Sequence, residues 1–336
     1  MVVTERVAVI GAGSWGTAVA ALASHNRPTI LWARRKDLAD EINTAHTNSA
    51  YLAERVLPEN LVGTASLDEA LDGADLVVMG VPSHGFRAVL GEMAGVIRPG
   101  VPIISLSKGV EQDTHKRMTE VIADLLPEHP AGVLTGPNLA KEVLDGYPAA
   151  TVVALEDASL CTALRPLFAT PAFRVYTNYD VVGCEVAGAL KNVMAIAAGI
   201  CDGLGFGDNT KATLMTRGLN ELTRLGVALG GQPLTFAGLA GMGDLVATCM
   251  SRQSRNRHVG EQLGRGRTLD DIISEMNMVA EGVKTSRAVV GLARAVGIEM
   301  PIAEEITAVI DGKQTVNDAL RNLMERDAGH ELEGIA

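Results

Sequence analysis

The chain has few cysteines. Cys161, Cys184, Cys201 and Cys249 are scattered through 336 residues, with no CxxC spacing and no cysteine–histidine pairing. That excludes a zinc site or a disulfide framework, so no metal is expected and a reducing, cytoplasmic setting is. Positive charge is also short: 29 Lys and Arg against 40 Asp and Glu leave a net charge of −11. No basic stripe of the kind nucleic-acid binding requires is present. A small anionic substrate stays allowed, because a few local Arg and Lys side chains can hold one inside an acidic protein. Long apolar runs are missing as well. The longest, Val186 to Ile200, is interrupted by Lys191-Asn192 and falls short of the roughly 20 residues a membrane span needs, so it reads as a buried helix. The opening apolar run is only a strand long and leads into a glycine turn, so no signal peptide is expected. Low-complexity tracts, charge blocks and repeats of 20–50 residues are absent.

What the chain does have is hydrophobic content, 47%, and enough length for two cores. Its first half alternates apolar strand candidates with helical stretches. The strands are Arg6–Ile10, Thr29–Ala33, Asp75–Val81, Val101–Leu106, Val133-Leu134 and Ala150–Leu155, followed by Phe173–Tyr176. Continuous apolar strands alternating with helices imply an α/β fold, a Rossmann-type doubly wound parallel sheet. From Glu185 onward the periodicity is helical, as in Thr210 to Leu229 and Ser286 to Val296, which predicts an all-α second domain. The boundary falls near Asp180 to Cys184, giving residues 1–182 as a dinucleotide-binding domain and 183–336 as a helical substrate and catalytic domain.

Gly11-Ala12-Gly13-Ser14-Trp15-Gly16 follows the first strand and precedes the helical Thr17–Ala23. In such a strand–turn–helix, Gly11 permits the tight turn, Gly13 lets the backbone approach a pyrophosphate, and Gly16 lets helix and strand pack closely. The second strand ends not in the acidic residue that holds an NAD ribose but in Arg34-Arg35. Two guanidinium groups suit a 2′-phosphate, which favours NADP over NAD without excluding NAD. The other reading of the pair is a solvated strand end. Asp37 is expected to cap the following helix.

In an open parallel sheet the ligand lies beyond the carboxyl ends of the strands. Pro82-Ser83-His84, Ser107-Lys108-Gly109 and Gly136-Pro137-Asn138 occupy such positions. His84 is a candidate acid or base because histidine as a residue type ordinarily exchanges protons near neutral pH, but a loop histidine is usually just solvated; Lys108 is the better candidate. Lys191 stands out more, because it sits in the apolar run Glu185–Gly199. Burial lowers a lysine's pKa and lets the amine exchange a proton near neutral pH. The alternative is a lysine whose stem packs while its head reaches water. Asp244, after Gly241-Met242-Gly243, either pairs with such a lysine or caps the helix that follows. Ser254-Arg255-Asn256 supplies a hydroxyl, a guanidinium and an amide before another helix, an anion cradle or simply a basic loop.

Taken together, GAGSWGTA, SLSKG, GPNLAKE, GALKNVMAIAAGI, GLAGMGDLVATC and SRN, in this order across nearly the whole chain, resemble bacterial NAD(P)-dependent glycerol-3-phosphate dehydrogenase. The resemblance implies reversible hydride transfer from NAD(P)H to dihydroxyacetone phosphate, giving sn-glycerol 3-phosphate for glycerophospholipid synthesis. It also implies a helical domain like that of 6-phosphogluconate dehydrogenase. Lys191 matches the family's proton-transferring lysine, with Lys108 and Asp244 beside it in the chemistry. Lys108, Gly136, Asn138, Lys191, Asp244, Ser254, Arg255 and Asn256 match substrate-contacting positions. Ser14, Trp15, Arg34, Arg35, Lys108, Ala140, Arg255, Val279 and Glu281 match cofactor-binding ones. Asn138 stands where many relatives have Ser or Thr; an amide can both donate and accept, so function is expected to survive, with the hydrogen-bond geometry at that one contact left open. Reduction of other keto acids or imines, and cofactor sensing without chemistry, are the rival readings. A homodimer is expected from the apolar helical faces.

Overall fold

The computed structural model describes residues 4–53, 55–276 and 280–331. Two compact units result: one runs to Ser107 and resumes over Met118–Val181, and the other takes Lys108–Arg117 and the chain from Val182 onward.

The first unit is built on eight strands: β1 (Val7–Ile10), β2 (Thr29–Trp32), β3 (Leu61–Thr64), β4 (Leu76–Met79), β5 (Ile103–Ser105), β6 (Ala131–Thr135), β7 (Ala149–Ala154) and β8 (Phe173–Asn178). They lie in the order β3-β2-β1-β4-β5-β6-β7-β8. Successive side chains of a strand point to opposite faces. Accordingly Val7 and Val9 enter one apolar core and Ala8 and Ile10 the other, so β1 is apolar throughout. The first six strands are parallel, with β1 and β4 adjacent at the point where the winding reverses. Here the expectation of a wholly parallel sheet is corrected, because β7 runs antiparallel to β6. Their connection holds one helix of only five residues, Ala140–Leu144, too little for the crossover a parallel pair needs. The chain therefore re-enters the sheet from the end it left.

The second unit is helical. Its centre is the helix Val181–Gly203, the apolar run of the sequence, with 94% of its most apolar window buried inside the protein. The helix Arg255–Gly264 lies against it backbone to backbone. A Cβ added at Gly199 would stand 2.0 Å from the Arg257 carbonyl oxygen, and one at Gly260 would stand 1.9 Å from that of Ile196. Gly203 and Gly264 continue the same seam one turn on. Elsewhere the buried Glu221 accepts hydrogen bonds from the Ile302 and Ala303 N–H groups at 2.7 and 3.2 Å. It thereby satisfies the free donors that open the helix Pro301–Ile310. Burial still outweighs these bonds and pushes its carboxyl up to about 7.

Segment 108–117 lies in the range the sequence reading gives to the dinucleotide domain, yet it packs with the helices. Val110 enters the helical core, Arg117 pairs with Glu185 at 2.6 Å, and Asn192 Nδ2 donates to the Lys108 carbonyl at 3.0 Å.

Candidate functional site

In the first unit the turn after β1 is shaped for a dinucleotide. Gly11 has φ +115°, which only glycine adopts without strain. A Cβ at Gly16 would stand 2.0 Å from the Gly11 carbonyl oxygen, whereas a Cβ at Gly13 would meet nothing within 4 Å. The turn is therefore closed underneath and open above Gly13, where the helix Ser14–Ser24 begins with the positive end of its dipole. The Trp15 indole Nε1 is buried with no hydrogen-bond partner among the described residues. These features fit a bound NAD(P). Ser14 Oγ donates to the Tyr51 carbonyl at 3.2 Å. Asn48, not anticipated from sequence, is completely buried, and its Nδ2 donates to the Ala12 carbonyl and to Thr17 Oγ1 at 3.0 and 2.9 Å. A second loop thus holds the glycine turn in shape.

Arg34 and Arg35 lie exposed just beyond β2. Arg35 is the N-cap residue of the helix Lys36–Ala45, so Asp37 sits in the first turn and does not cap it. There it favours the helix dipole and lies 3.7 Å from Arg35 Nε. Gly136, with φ +146°, turns the chain after β6. Asn138 is tied to β7, Nδ2 donating to the Ala150 carbonyl at 2.9 Å and Oδ1 accepting from Thr151 Oγ1 at 2.8 Å. That commitment bears on the hydrogen-bond geometry left open there. Ala140 opens the short helix Ala140–Leu144. His84 lies exposed in the first turn of the helix Ser83–Met93.

In the second unit Lys108, Lys191 and Asp244 come together. A π-helical turn, Leu239–Gly243, delivers Asp244 as the first residue of the helix Asp244–Met250. Of the two readings open for Asp244, the structure takes the pairing: Gly243 occupies the cap position. One carboxylate oxygen, Oδ1, lies 2.6 Å from Lys191 Nζ and the other, Oδ2, lies 2.6 Å from Lys108 Nζ. Asp244 is almost completely buried, Lys191 is buried, and Lys108 is largely so. Lys191 also donates to Thr248 Oγ1 at 2.5 Å, and that hydroxyl donates to the Asp244 carbonyl at 2.6 Å. The Lys191 head therefore does not reach water. The lowered pKa resolved in this cluster belongs to Lys108, brought down to about 8 first by burial and then by the Lys191 ammonium, against the opposing pull of Asp244. Two cations sharing one buried carboxylate leave one positive charge facing inward.

Around them Asn256 is fully engaged. Its Nδ2 donates to Asn192 Oδ1 and its Oδ1 accepts from the Gly282 N–H, both at 2.9 Å. Asn192 in turn donates to the Lys108 carbonyl, so Asn256 clips the helix Glu281–Ala295 to the lysine segment. Ser254 Oγ caps the helix Arg255–Gly264 by accepting from the Arg257 N–H at 3.2 Å, while Arg255 is exposed at its first position. Glu281 is held above the usual carboxylate range by burial, although Arg255 foremost, then Lys191 and Lys108, pull it down. Val279 lies outside the described residues. Two members of this cluster escaped the sequence reading. Thr248 stands four residues after Asp244, on the same helix face, and Asn192 is the polar neighbour of Lys191 in the apolar run.

Two family models match successive parts of the chain. Residues 6–161 match the family model described as NAD-dependent glycerol-3-phosphate dehydrogenase N-terminus, and residues 180–321 match the corresponding C-terminus. A glycerol-3-phosphate dehydrogenase [NAD(P)+] of Sphingopyxis alaskensis is 56% identical over 326 residues, covering 97% of this chain and 98% of its own. One of Mycobacterium avium is 54% identical, covering 98% and 97%. The solved structure of glycerol-3-phosphate dehydrogenase from Coxiella burnetii superposes with a TM-score of 0.92 at 36% identity, covering 96% of this chain and 99% of that one.

Proposed function

The chain belongs to the family of NAD-dependent glycerol-3-phosphate dehydrogenases, and from that premise we propose how its own residues carry the reaction. It is an NAD(P)-dependent oxidoreductase that interconverts dihydroxyacetone phosphate and sn-glycerol 3-phosphate, the backbone of glycerophospholipids. When bound, the reduced nicotinamide supplies the hydride. Lys191 gives its proton to the oxygen that gains negative charge as the ketone carbon is reduced. Lys108 stabilises that developing charge, and Asp244 holds both amines in place. The observation that carries this reading is the single buried carboxylate bridging two lysines at 2.6 Å each. One inward positive charge suits an oxyanion, and Lys108, brought down to about 8, lies on the same carboxylate as the donor Lys191.

Arg255, with the Ser254 hydroxyl, binds the substrate phosphate; Asn256 supports the site by fixing Gly282 and Asn192. Binding energy from the phosphate, which does not react, thereby orients the carbonyl that does. Gly11, Gly13, Ser14, Trp15 and Gly16 hold the cofactor pyrophosphate, and Arg34 and Arg35 hold the 2′-phosphate of NADPH, the preferred donor. The four cysteines are free, which supports a cytoplasmic location. Met242, Val246 and Met250 expose an apolar row at four-residue spacing, which supports a homodimer.

The test is NADPH and NADH oxidation with dihydroxyacetone phosphate by the purified protein and its Lys191→Ala variant. Loss of a proton donor is expected to lower turnover by about 10²- to 10⁴-fold, with a cooperative melting transition showing that the variant is folded. Near-normal turnover in the variant removes Lys191 from the role.

A further inference from the structure

The helical unit contains a cavity of about 310 Å³ that the reaction does not use. Its polar wall is Gln112 and His115 from the segment 108–117, with Lys284 and Arg287 one turn apart on the helix Glu281–Ala295; Val283 and Ile310 are among its apolar lining. We propose that this cavity binds a small phosphate monoester, the cationic wall taking the phosphate and the apolar lining a short tail.

The charges are arranged for such a ligand. Asp311 Oδ1 takes Arg287 through Nε at 2.6 Å, and its Oδ2 is engaged by Lys313 at 2.8 Å. Among the described residues the two terminal nitrogens of Arg287 have no partner, and Lys284 makes no ion pair. A guanidinium anchored by Nε presents its remaining fork in a fixed direction, the geometry that grips phosphate oxygens in pairs. One cation without an ion pair, Lys284, and one whose terminal nitrogens stay open although its Nε is paired, Arg287, share this concave surface in a chain of net charge −11.

His115 adds a second, independent feature. Its backbone lies in the left-handed region at φ +59°, uncommon for a side-chain-bearing residue. Its ring lies directly over Gly291, where an added Cβ would approach Cε1 to 2.8 Å. The fold accepts backbone strain and a glycine notch to set an imidazole beside the two cations. The volume stands at the lower end of small-molecule sites, roughly 300–1,000 Å³, room for a short-chain phosphate.

The experiment follows the His115 Cε1–H resonance in the full-length protein, assigned with His115→Asn, a residue that tolerates the left-handed backbone. The probes are n-butyl phosphate and inorganic phosphate. A saturable shift is expected, with butyl phosphate binding several-fold more tightly. Affinity should fall at least tenfold in Lys284→Ala/Arg287→Ala and be retained in Arg255→Ala, which disables the proposed catalytic phosphate contact. A resonance that does not respond at concentrations saturating the catalytic site overturns the proposal. So does an identical shift in the double variant, or equal affinity for the two probes. No arm measures turnover, so the outcome is independent of the enzymatic assignment.

Discussion

Replacing Asp244 by Asn tests the lysine pair most directly, because the substitution removes a charge and keeps the shape. Each oxygen of Asp244 now faces one ammonium at 2.6 Å. Without the negative charge two buried cations confront each other with no counter-ion, a change that costs ~3–5 kcal/mol when a buried pair is broken. The protein can relieve part of this by releasing a proton, and Lys108, already at about 8, is the group that gives it up. Two unit charges 4 Å apart at an effective dielectric of 20 interact by about 4 kcal/mol, equivalent to ~3 pKa units at 1.36 kcal/mol each. Even a third of that moves the midpoint of Lys108 from about 8 to about 7. Asp244 raises that pKa, so its removal lowers it, and the alkaline limb of the reduction moves toward lower pH. The assay is the pH dependence of kcat/KM for dihydroxyacetone phosphate, followed by NADPH absorbance, with melting curves to show that the variant is folded. An alkaline limb that stays in place or moves upward would refute the shared-carboxylate account.

Other perturbations address the remaining parts. Arg34→Ala/Arg35→Ala is expected to raise KM for NADPH roughly tenfold or more by removing charge-assisted bonds of about 1.5–3 kcal/mol, with KM for NADH little changed; parallel increases for both cofactors would dismiss the 2′-phosphate argument. Arg255→Ala should raise KM for dihydroxyacetone phosphate by about 10- to 100-fold on the same energies, and an unaltered KM would refute its phosphate role. Glu221 is a stability prediction. Its folded pKa of about 7 lies above the ordinary glutamate value of 4.5, so between those values the folded state holds a proton that the unfolded state has lost, and stability falls as pH rises through this window. Glu221→Gln should flatten that fall, worth on the order of 3 kcal/mol for a 2.5-unit difference, and a denaturation midpoint with the same slope between pH 5 and 7 in both proteins would contradict it.

The local features were readable in the residues because their causes are local. The turn at Gly11–Gly16 depends on glycine at three positions, and the helix around Lys191 depends on one apolar run. The two-unit plan follows from a change of periodicity near residue 182. The rest depends on what lies across space. Nothing in SLSKG says that Lys108 leaves the sheet for the helical core; that follows from Val110, Asn192 and Arg117 finding partners there. Nor does the sequence say which lysine is brought toward neutrality, since burial and the neighbouring charge fix that jointly. The antiparallel entry of β7 depends on the length of one connection. Thr248 became recognisable only once Asp244 was known to face inward.

The glycine seam between the helices Val181–Gly203 and Arg255–Gly264 bears on substrate choice. One helix carries the proposed proton donor and the other the proposed phosphate grip, and main chain meets main chain at two glycines on each helix with no side chain between to repack. Such a joint has no intermediate settings: any substitution larger than hydrogen forces the helices apart, and no rotamer change lets them close. The interval between grip and donor is therefore a fixed gauge. On the proposed roles, a ketone whose carbonyl lies one carbon nearer to or farther from its phosphate is expected to be reduced less efficiently, without any residue dedicated to excluding it.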